Sequence, residues 1–377
     1  MSNSKRIVTN DDCESAVKAL EEHGSQRAAA KALGVPRTTF QEWIYKANDR
    51  GQRGFPPVPV GQNVIGLSTL IENEDGNKQW VKTRAGKMSI EDMVQAVKDA
   101  FDGYDTKAKP VKPPTAIDED LNTVYIIADW HIGLLAWHKE GVEDMDIPLA
   151  RAMIEPAMAQ LVGSTPKSKQ CVILGLGDLL HINGYDSVTP GSKNRLDSDG
   201  RYPKILTAAC HLVRYTIDLA LQKHEHVLVR ILPGNHDPES SVAVNIGLQM
   251  LYENDPRVTV DDNRDRFWWW QWGKVLLGAT HGDKAKMADL PLLMAAWNPE
   301  AWGQTTFRHV FTGHIHTQTG IEKSGVTVES FQTPISADYW HHSMGYGAQR
   351  SITAITHHKE HGEILRNKVN IHEEKAE

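Results

Sequence analysis

Five short segments of this sequence each place metal-binding side chains directly behind an apolar run. They are Asp129-Trp-His131, Gly177-Asp-Leu-Leu-His181, Gly234-Asn-His-Asp237, His281-Gly-Asp283 and Gly313-His-Ile-His316. The second is the most constraining. Val172 to Leu176 is apolar and reads as a buried strand, and Asp178 follows after one glycine. A carboxylate at the end of a buried strand is costly unless something positive meets it. The expected counter-charge is metal, with Asp178 between two cations.

Around these segments, strands and helices alternate. Strands are expected at 124–128, 170–176, 227–232, two within 267–279 on either side of Gly273, and at 308–311, 326–331, 351–357 and 364–370. Helices are expected at 148–162, 205–223 and 243–252. Alternation of this kind predicts an α/β domain. The polar segments all fall at carboxyl ends of strands, where open α/β sheets place their ligands. Carboxylate and imidazole donors suit Mn²⁺, Fe or Zn²⁺, and the lack of cysteine among them argues against a structural zinc site. A carboxylate bridge can hold two metals roughly 3.5–4 Å apart, which lowers the pKa of a bound water and clamps a phosphoryl oxygen.

In this order, the five segments resemble the calcineurin-like metallophosphoesterases, and the resemblance runs from about Leu121 to Ile371. It implies a four-layer α-β-β-α sandwich of two mixed sheets with helices outside. It also implies one metal on Asp129, His131, Asp178 and His316, and a second on Asp178, Asn235, His281 and His314. Mn²⁺ is the first expectation, Fe or Zn²⁺ the others. By the same resemblance His236 is expected to face the substrate and to protonate the leaving oxygen or steady the transition-state charge, with Asp237 orienting it. His181 matches a histidine that the DNA repair exonucleases of this superfamily carry after their Gly-Asp, and is expected to be catalytic or substrate-steering. A lone buried histidine ordinarily serves a core hydrogen bond; five clustered segments outweigh that reading. His341, His342, His357, His358 and His361 are expected at the surface, and the run Trp268-Trp-Trp-Gln-Trp272 is expected to pack rather than stack bases.

The first fifty residues read differently. Three helices are expected, at 11–23 with a cap from Asp11 or Asp12, at 26–33 capped by Ser25, and from Pro36 to about Lys46. Ala30, Gly34, Phe40 and Trp43 have the spacing of a helix-turn-helix, and the stretch resembles units of the Fis and Psq type. By that resemblance the third helix enters a major groove, offering Arg37, Thr38, Thr39 and Gln41 to DNA, with Lys31, Lys46 and Arg50 for phosphates. The alternative is a protein-interaction unit. The domain order, helix-turn-helix ahead of phosphoesterase, resembles proteins encoded by bacteriophages. Three parts are therefore expected: a helix-turn-helix domain at 1–50, a linker with a small hairpin and a helix at 51–120, and the metallophosphoesterase domain at 121–377.

The 377 residues exceed one core of usual size, in line with several domains. With a net charge of -7 there is no global basic signal, so any nucleic-acid contact must be local. No apolar run is long enough for a bilayer and no secretory signal is read, so no membrane partner is expected. Cys13, Cys171 and Cys210 are odd in number and far apart, which fits a reduced cytoplasm, that of a bacterial host if the chain is phage-encoded.

The metal motif specifies a phosphoester without saying which one. Three features favour DNA: the helix-turn-helix, the Gly-Asp-x-x-His form of the central motif, and a polar insertion at 183–204 carrying Lys193, Arg195, Arg201 and Lys204. The expected function is a dinuclear-metal phosphodiesterase, a DNA nuclease tethered by its own DNA-binding unit and paired as a homodimer. The alternatives are a phosphomonoesterase or cyclic-nucleotide phosphodiesterase, or a DNA-binding regulator with a metal platform.

Overall fold

The computed structural model describes residues 9–49 except Gly24, the strand pair 66–72 and 78–84, positions 93, 95 and 97, and residues 111–372 except Val142. The expected linker at 51–61, hairpin turn at 74–77, linker at 105–110 and most of the helix at 89–101 lie outside the described residues, as do the side chains of Lys46 and Arg50. The chain divides into two compact units, Met1–Gly86 and Lys87–Glu377.

The first unit contains three short helices, α1 (Asn10–His23), α2 (Gln26–Ala32) and α3 (Arg37–Asp49), and the antiparallel pair β1 (Gly66–Glu72) and β2 (Lys78–Arg84). Small side chains let the helices approach: Ala16, Ala19, Ala29, Ala30 and Ala47 are buried with Phe40, Trp43 and Ile44. The cap of α1 is Thr9, which exchanges hydrogen bonds with Asp12; Asp12 is thus the return half of the cap rather than the cap itself. Ser25 caps α2 through the Ala28 N–H, as expected. Gly34 takes the left-handed turn before α3 (φ 67°).

The second unit is a four-layer sandwich. A six-stranded sheet has the order β13-β12-β3-β4-β5-β6 and a five-stranded sheet the order β10-β11-β9-β8-β7. The first comprises β3 (Asp118–Ile127), β4 (Ser168–Gly175), β5 (His224–Ile231), β6 (Val258–Val260), β12 (Arg350–His358) and β13 (Gly362–Ile371). The second comprises β7 (Phe267–Trp272), β8 (Val275–Thr280), β9 (Phe307–Thr312), β10 (Thr319–Lys323) and β11 (Val326–Ser330). Strand alternation sorts the side chains into layers. Val124, Ile126, Val172 and Leu174 meet Leu277, Ala279 and Phe311 between the sheets. Tyr125, Ile127 and Ile173 face the other way, onto the helices α4 (Ile147–Ser164), α5 (Tyr202–Ala220) and α6 (Ser240–Tyr252). Leu276, Val310 and Val328 face α7 (Leu290–Trp297) on the outside of the second sheet, where α8 (Pro299–Gln304) follows.

The tryptophan run packs, as expected. Trp268, Trp270 and Trp272 stack in a row along one face of β7, with ring centroids 6.0 and 5.8 Å apart. His357 departs from its expected surface position: it is 2% exposed, because the strand alternation of β12 turns it toward the space between the sheets. His342 and His361 are exposed. The strands β6 and β10, the helices at 290–304 and the short helix α9 (Tyr339–Ser343) were not anticipated; each is short or lies in a segment without clear periodicity.

Candidate metal centre

Five loops at the carboxyl ends of β3, β4, β5, β8 and β9 bring the seven expected ligands together. Asp129, His131 and His316 form one group whose donor atoms lie within 4.8 Å of one another, and Asp178, His281 and His314 form a second. The Nε2 atoms of His131 and His316 face each other at 3.1 Å. His281 Nε2 lies 3.2 Å from Asp178 Oδ2 and 2.9 Å from Asn235 Oδ1. His131, His181 and His236 make a third close group. The expected ligand positions thus converge, although no sequence segment contains more than two of them.

The backbone is strained where these side chains are presented. Eight non-glycine residues with positive φ occur among the described residues, and five are Asp129 (50°), His131 (39°), Asp178 (50°), His314 (73°) and His316 (55°). A left-handed conformation costs a non-glycine residue ~1–3 kcal/mol and persists only where surrounding contacts enforce it. Those contacts are visible. The His131 N–H donates to the Asp178 carbonyl at 2.9 Å. The His314 N–H donates to the Asp129 carboxylate at 3.0 Å, and the Thr333 hydroxyl donates to the Asp129 carbonyl at 2.6 Å. The His236 N–H donates to Asp178 Oδ1 at 2.8 Å.

The glycines of the motifs are there for approach. A Cβ on Gly234 would lie 1.9 Å from Asp178 Oδ1, and one on Gly313 would lie 2.6 Å from Asp129 Oδ2. No larger residue allows the loops to come this close.

The electrostatics call for a cation. Asp129 is fully buried, and burial pushes its carboxyl up to about 8 against the pull of His281. Burial also opposes charge on Asp178, but His281, His236 and His131 around it hold its carboxyl well below the usual range. His281 is raised to about 10 despite burial, because Asp178 and Asp129 face it. Burial lowers His131 strongly and takes His316 to about 3, so these two rings stay neutral with lone pairs to donate. Two buried carboxylates, a neutral amide oxygen and convergent imidazole nitrogens, with no sulfur, are the donors that divalent Mn, Fe or Zn accepts. The residues fit a divalent centre.

The neighbours of the ligands differ in part from expectation. Asp237 does not reach the His236 ring. It is fully buried, and its carboxylate accepts the backbone N–H groups of Asp178 (3.2 Å), Gly234 (3.0 Å) and Leu180 (3.1 Å). Three unpaired amides in the tight turns need an acceptor, and that need fixes Asp237. The His236 ring is held instead by the main-chain oxygen of His181, 2.9 Å from Nδ1. The His181 ring is 1% exposed and sits 3.4 Å from His131 Nδ1, outside the cleft wall. Asp283 pairs with Arg266 (3.6 Å) and Lys284 (3.0 Å).

A cleft of about 780 Å³ opens over His131, Asp178, Asn235, His236, His314 and His316. The insertion at 183–204 supplies part of its wall through Thr189, Ser192, Asn194 and Arg195, while Lys204 is tied to Asp199 at 3.0 Å. Glu143 and Arg350, ion-paired at 2.5 Å, close another side. His341, expected at the surface, lines the cleft with its ring stacked on His316 at 4.9 Å. Sequence reasoning missed this wall; its signal was the aromatic and glycine content of Tyr339-Trp-His-His-Ser-Met-Gly-Tyr-Gly347. In the first unit, Arg37, Thr38 and Gln41 are exposed on α3 and Thr39 is half-buried.

No family model matches the sequence, and no curated protein matches it. Among solved structures, an archaeal phosphodiesterase is 14% identical, aligned over 66% of this chain and 99% of its own, with a TM-score of 0.32. A Streptococcus pneumoniae protein described as a predicted phosphoesterase is 11% identical over 66% and 98%, TM-score 0.28. Vps29 from Entamoeba histolytica, solved with Zn²⁺, is also 11% identical over 66% and 98%, TM-score 0.28.

Proposed function

We propose that this protein is a calcineurin-like metallophosphoesterase that hydrolyses phosphodiesters with two divalent metal ions, and that its substrate is DNA. One observation carries the metal centre: six carboxylate and imidazole donors and the Asn235 amide, from five separate loops, converge, five of the residues held in a left-handed backbone. Asp129, His131, Asp178 and His316 would hold one ion, and Asp178, Asn235, His281 and His314 the other. Bound there, divalent ions would supply Lewis acidity toward a phosphoryl oxygen and an acidified water as nucleophile.

The chain's own groups do the rest. With two divalent ions bound, the two carboxylates would leave the centre net positive, which favours an anionic ester. Asn235 would add a neutral ligand without subtracting charge. His236 donates from Nδ1 to the His181 carbonyl, which leaves Nε2 for the cleft that the residue lines. Protonated, that Nε2 can hand its proton to the leaving oxygen. Asp237 holds the turns that carry Asp178 and Asn235, a positioning task.

DNA as substrate rests on two features. The exposed Arg37, Thr38 and Gln41 on α3 suit a recognition helix in a helix-turn-helix, and Arg195 stands in the wall of the cleft. The test is hydrolysis with Mn²⁺ of linear and circular DNA beside a generic phosphodiester and a phosphomonoester, with Asp178→Ala as blank. DNA cleavage that the blank lacks is expected. Turnover of small esters alone would transfer the protein to the phosphomonoesterase or cyclic-nucleotide reading.

A further inference from the structure

One wall of the cleft is made of aromatic rings left half in solvent. Asp338 starts it by capping α9: its carboxylate accepts the His341 backbone N–H at 2.8 Å and lies 2.6 Å from His341 Nδ1. The His341 ring, thus fixed, lies on His316 with planes 19° apart. Trp340 meets His341 edge-on at 4.9 Å, and Tyr346 sits 5.7 Å from Trp340. The helix end places Tyr346 there. The N–H groups of Gly345 and Tyr346 return to the carbonyls of His342 and His341, and Gly345 takes φ 75°. This is a Schellman-type C-cap, which fixes the direction of the chain. The ring contacts therefore lead stepwise from the candidate ligand His316 to two rings at the cleft wall.

Trp340 is 52% exposed and Tyr346 57% exposed, a large apolar area for two rings that both line one cleft. Clustered exposed apolar surface marks a binding site more often than scattered residues do. The rest of the lining limits the ligand. Thr189, Ser192, Asn194 and Arg195 are polar or cationic, the acidic Glu143 and Asp338 are engaged by Arg350 and His341, and the floor is the centre itself. A ligand that suits all of these is planar and apolar at one end and anionic at the other.

We propose that Trp340 and Tyr346 form a stacking subsite for the nucleobase next to the scissile phosphate, with Arg195 taking the backbone of the same strand. The proposal rests on the phosphodiesterase reading and adds what that centre selects. Stacking of a base on aromatic side chains tolerates every sequence, since each base has a π-face. The subsite accordingly selects a nucleoside ester over a base-free one and does not read sequence. It favours an unpaired base, which can leave its neighbours to lie on the rings.

The full chain with Mn²⁺ is assayed on two esters that share a leaving group, thymidine 5′-(p-nitrophenyl phosphate) and methyl p-nitrophenyl phosphate. The wild type is expected to prefer the thymidine ester. Trp340→Ala with Tyr346→Ala should cut that preference about tenfold, through KM for the thymidine ester. Trp340→Phe, which keeps a ring, should retain it. An unchanged preference in the double variant overturns the subsite. If the wild type cleaves neither these esters nor DNA, the phosphodiesterase reading fails; whenever neither ester is turned over, oligothymidylate binding decides the subsite alone. Affinity about tenfold weaker in the double variant supports it; equal affinity overturns it.

Discussion

Gly234→Ala tests whether the loops must come as close as they do. The added Cβ would sit 1.9 Å from Asp178 Oδ1 and 2.3 Å from Asp178 N. The second atom is backbone, inside a turn that also receives Asp237, so no rotamer change relieves the clash. The loop carrying Asn235 and His236 must therefore move away from Asp178 by about 1 Å or more. Overpacking of this kind costs about 1–3 kcal/mol. A displacement of that size among reacting groups costs about 100-fold in rate. The assay pairs thermal unfolding with Mn²⁺-dependent phosphodiester hydrolysis. A drop in kcat/KM of about 100-fold is expected, against a modest loss of stability. Gly163→Ala is the control: it lies in α4 with nothing within 4 Å of its new Cβ, and should gain about 0.5–1 kcal/mol. Wild-type activity in Gly234→Ala would refute the claim that these two loops share one centre.

Thr333→Val removes the hydroxyl that satisfies the Asp129 carbonyl and should cost about 1–3 kcal/mol, with weaker metal retention, by calorimetry. His224 is fully buried, takes hydrogen bonds from or gives them to Tyr125 and Ser168, and burial lowers it to about 3. Its unfolded form gains a proton below about 6.5, so the folded state loses about 1.4 kcal/mol per pH unit as pH falls from there toward 3. Urea unfolding at several pH values should show His224→Gln closing on the wild type by that amount per unit below 6.5; parallel curves would contradict it. Arg37→Ala should weaken DNA binding by the full chain and flatten its salt dependence, in fluorescence anisotropy; unchanged binding would remove the recognition-helix assignment.

The parts of this molecule that were legible from sequence were those with a local signature. The apolar runs of β3, β4 and β5 end in charged or amide residues, and a reader needs no tertiary information to see that those residues need a partner. The three N-terminal helices showed through Ser25, Gly34 and the alanine spacing for the same reason. Residue types do not announce that Asp237 serves backbone amides of turns rather than the His236 ring. His357 was placed at the surface because strand register decides which face it takes. The aromatic wall was missed because Trp340 and Tyr346 become neighbours through a helix cap, and because their exposure has meaning only beside His316.

The most direct test of the centre is metal stoichiometry, measured by atomic emission after equilibration with Mn²⁺ and desalting, in wild type, Asp129→Asn and Asp178→Asn. Asp178 is shared by both proposed ligand sets and Asp129 belongs to one. Two ions per chain in the wild type, one in Asp129→Asn and none in Asp178→Asn would support the account. Equal metal content in all three would contradict it.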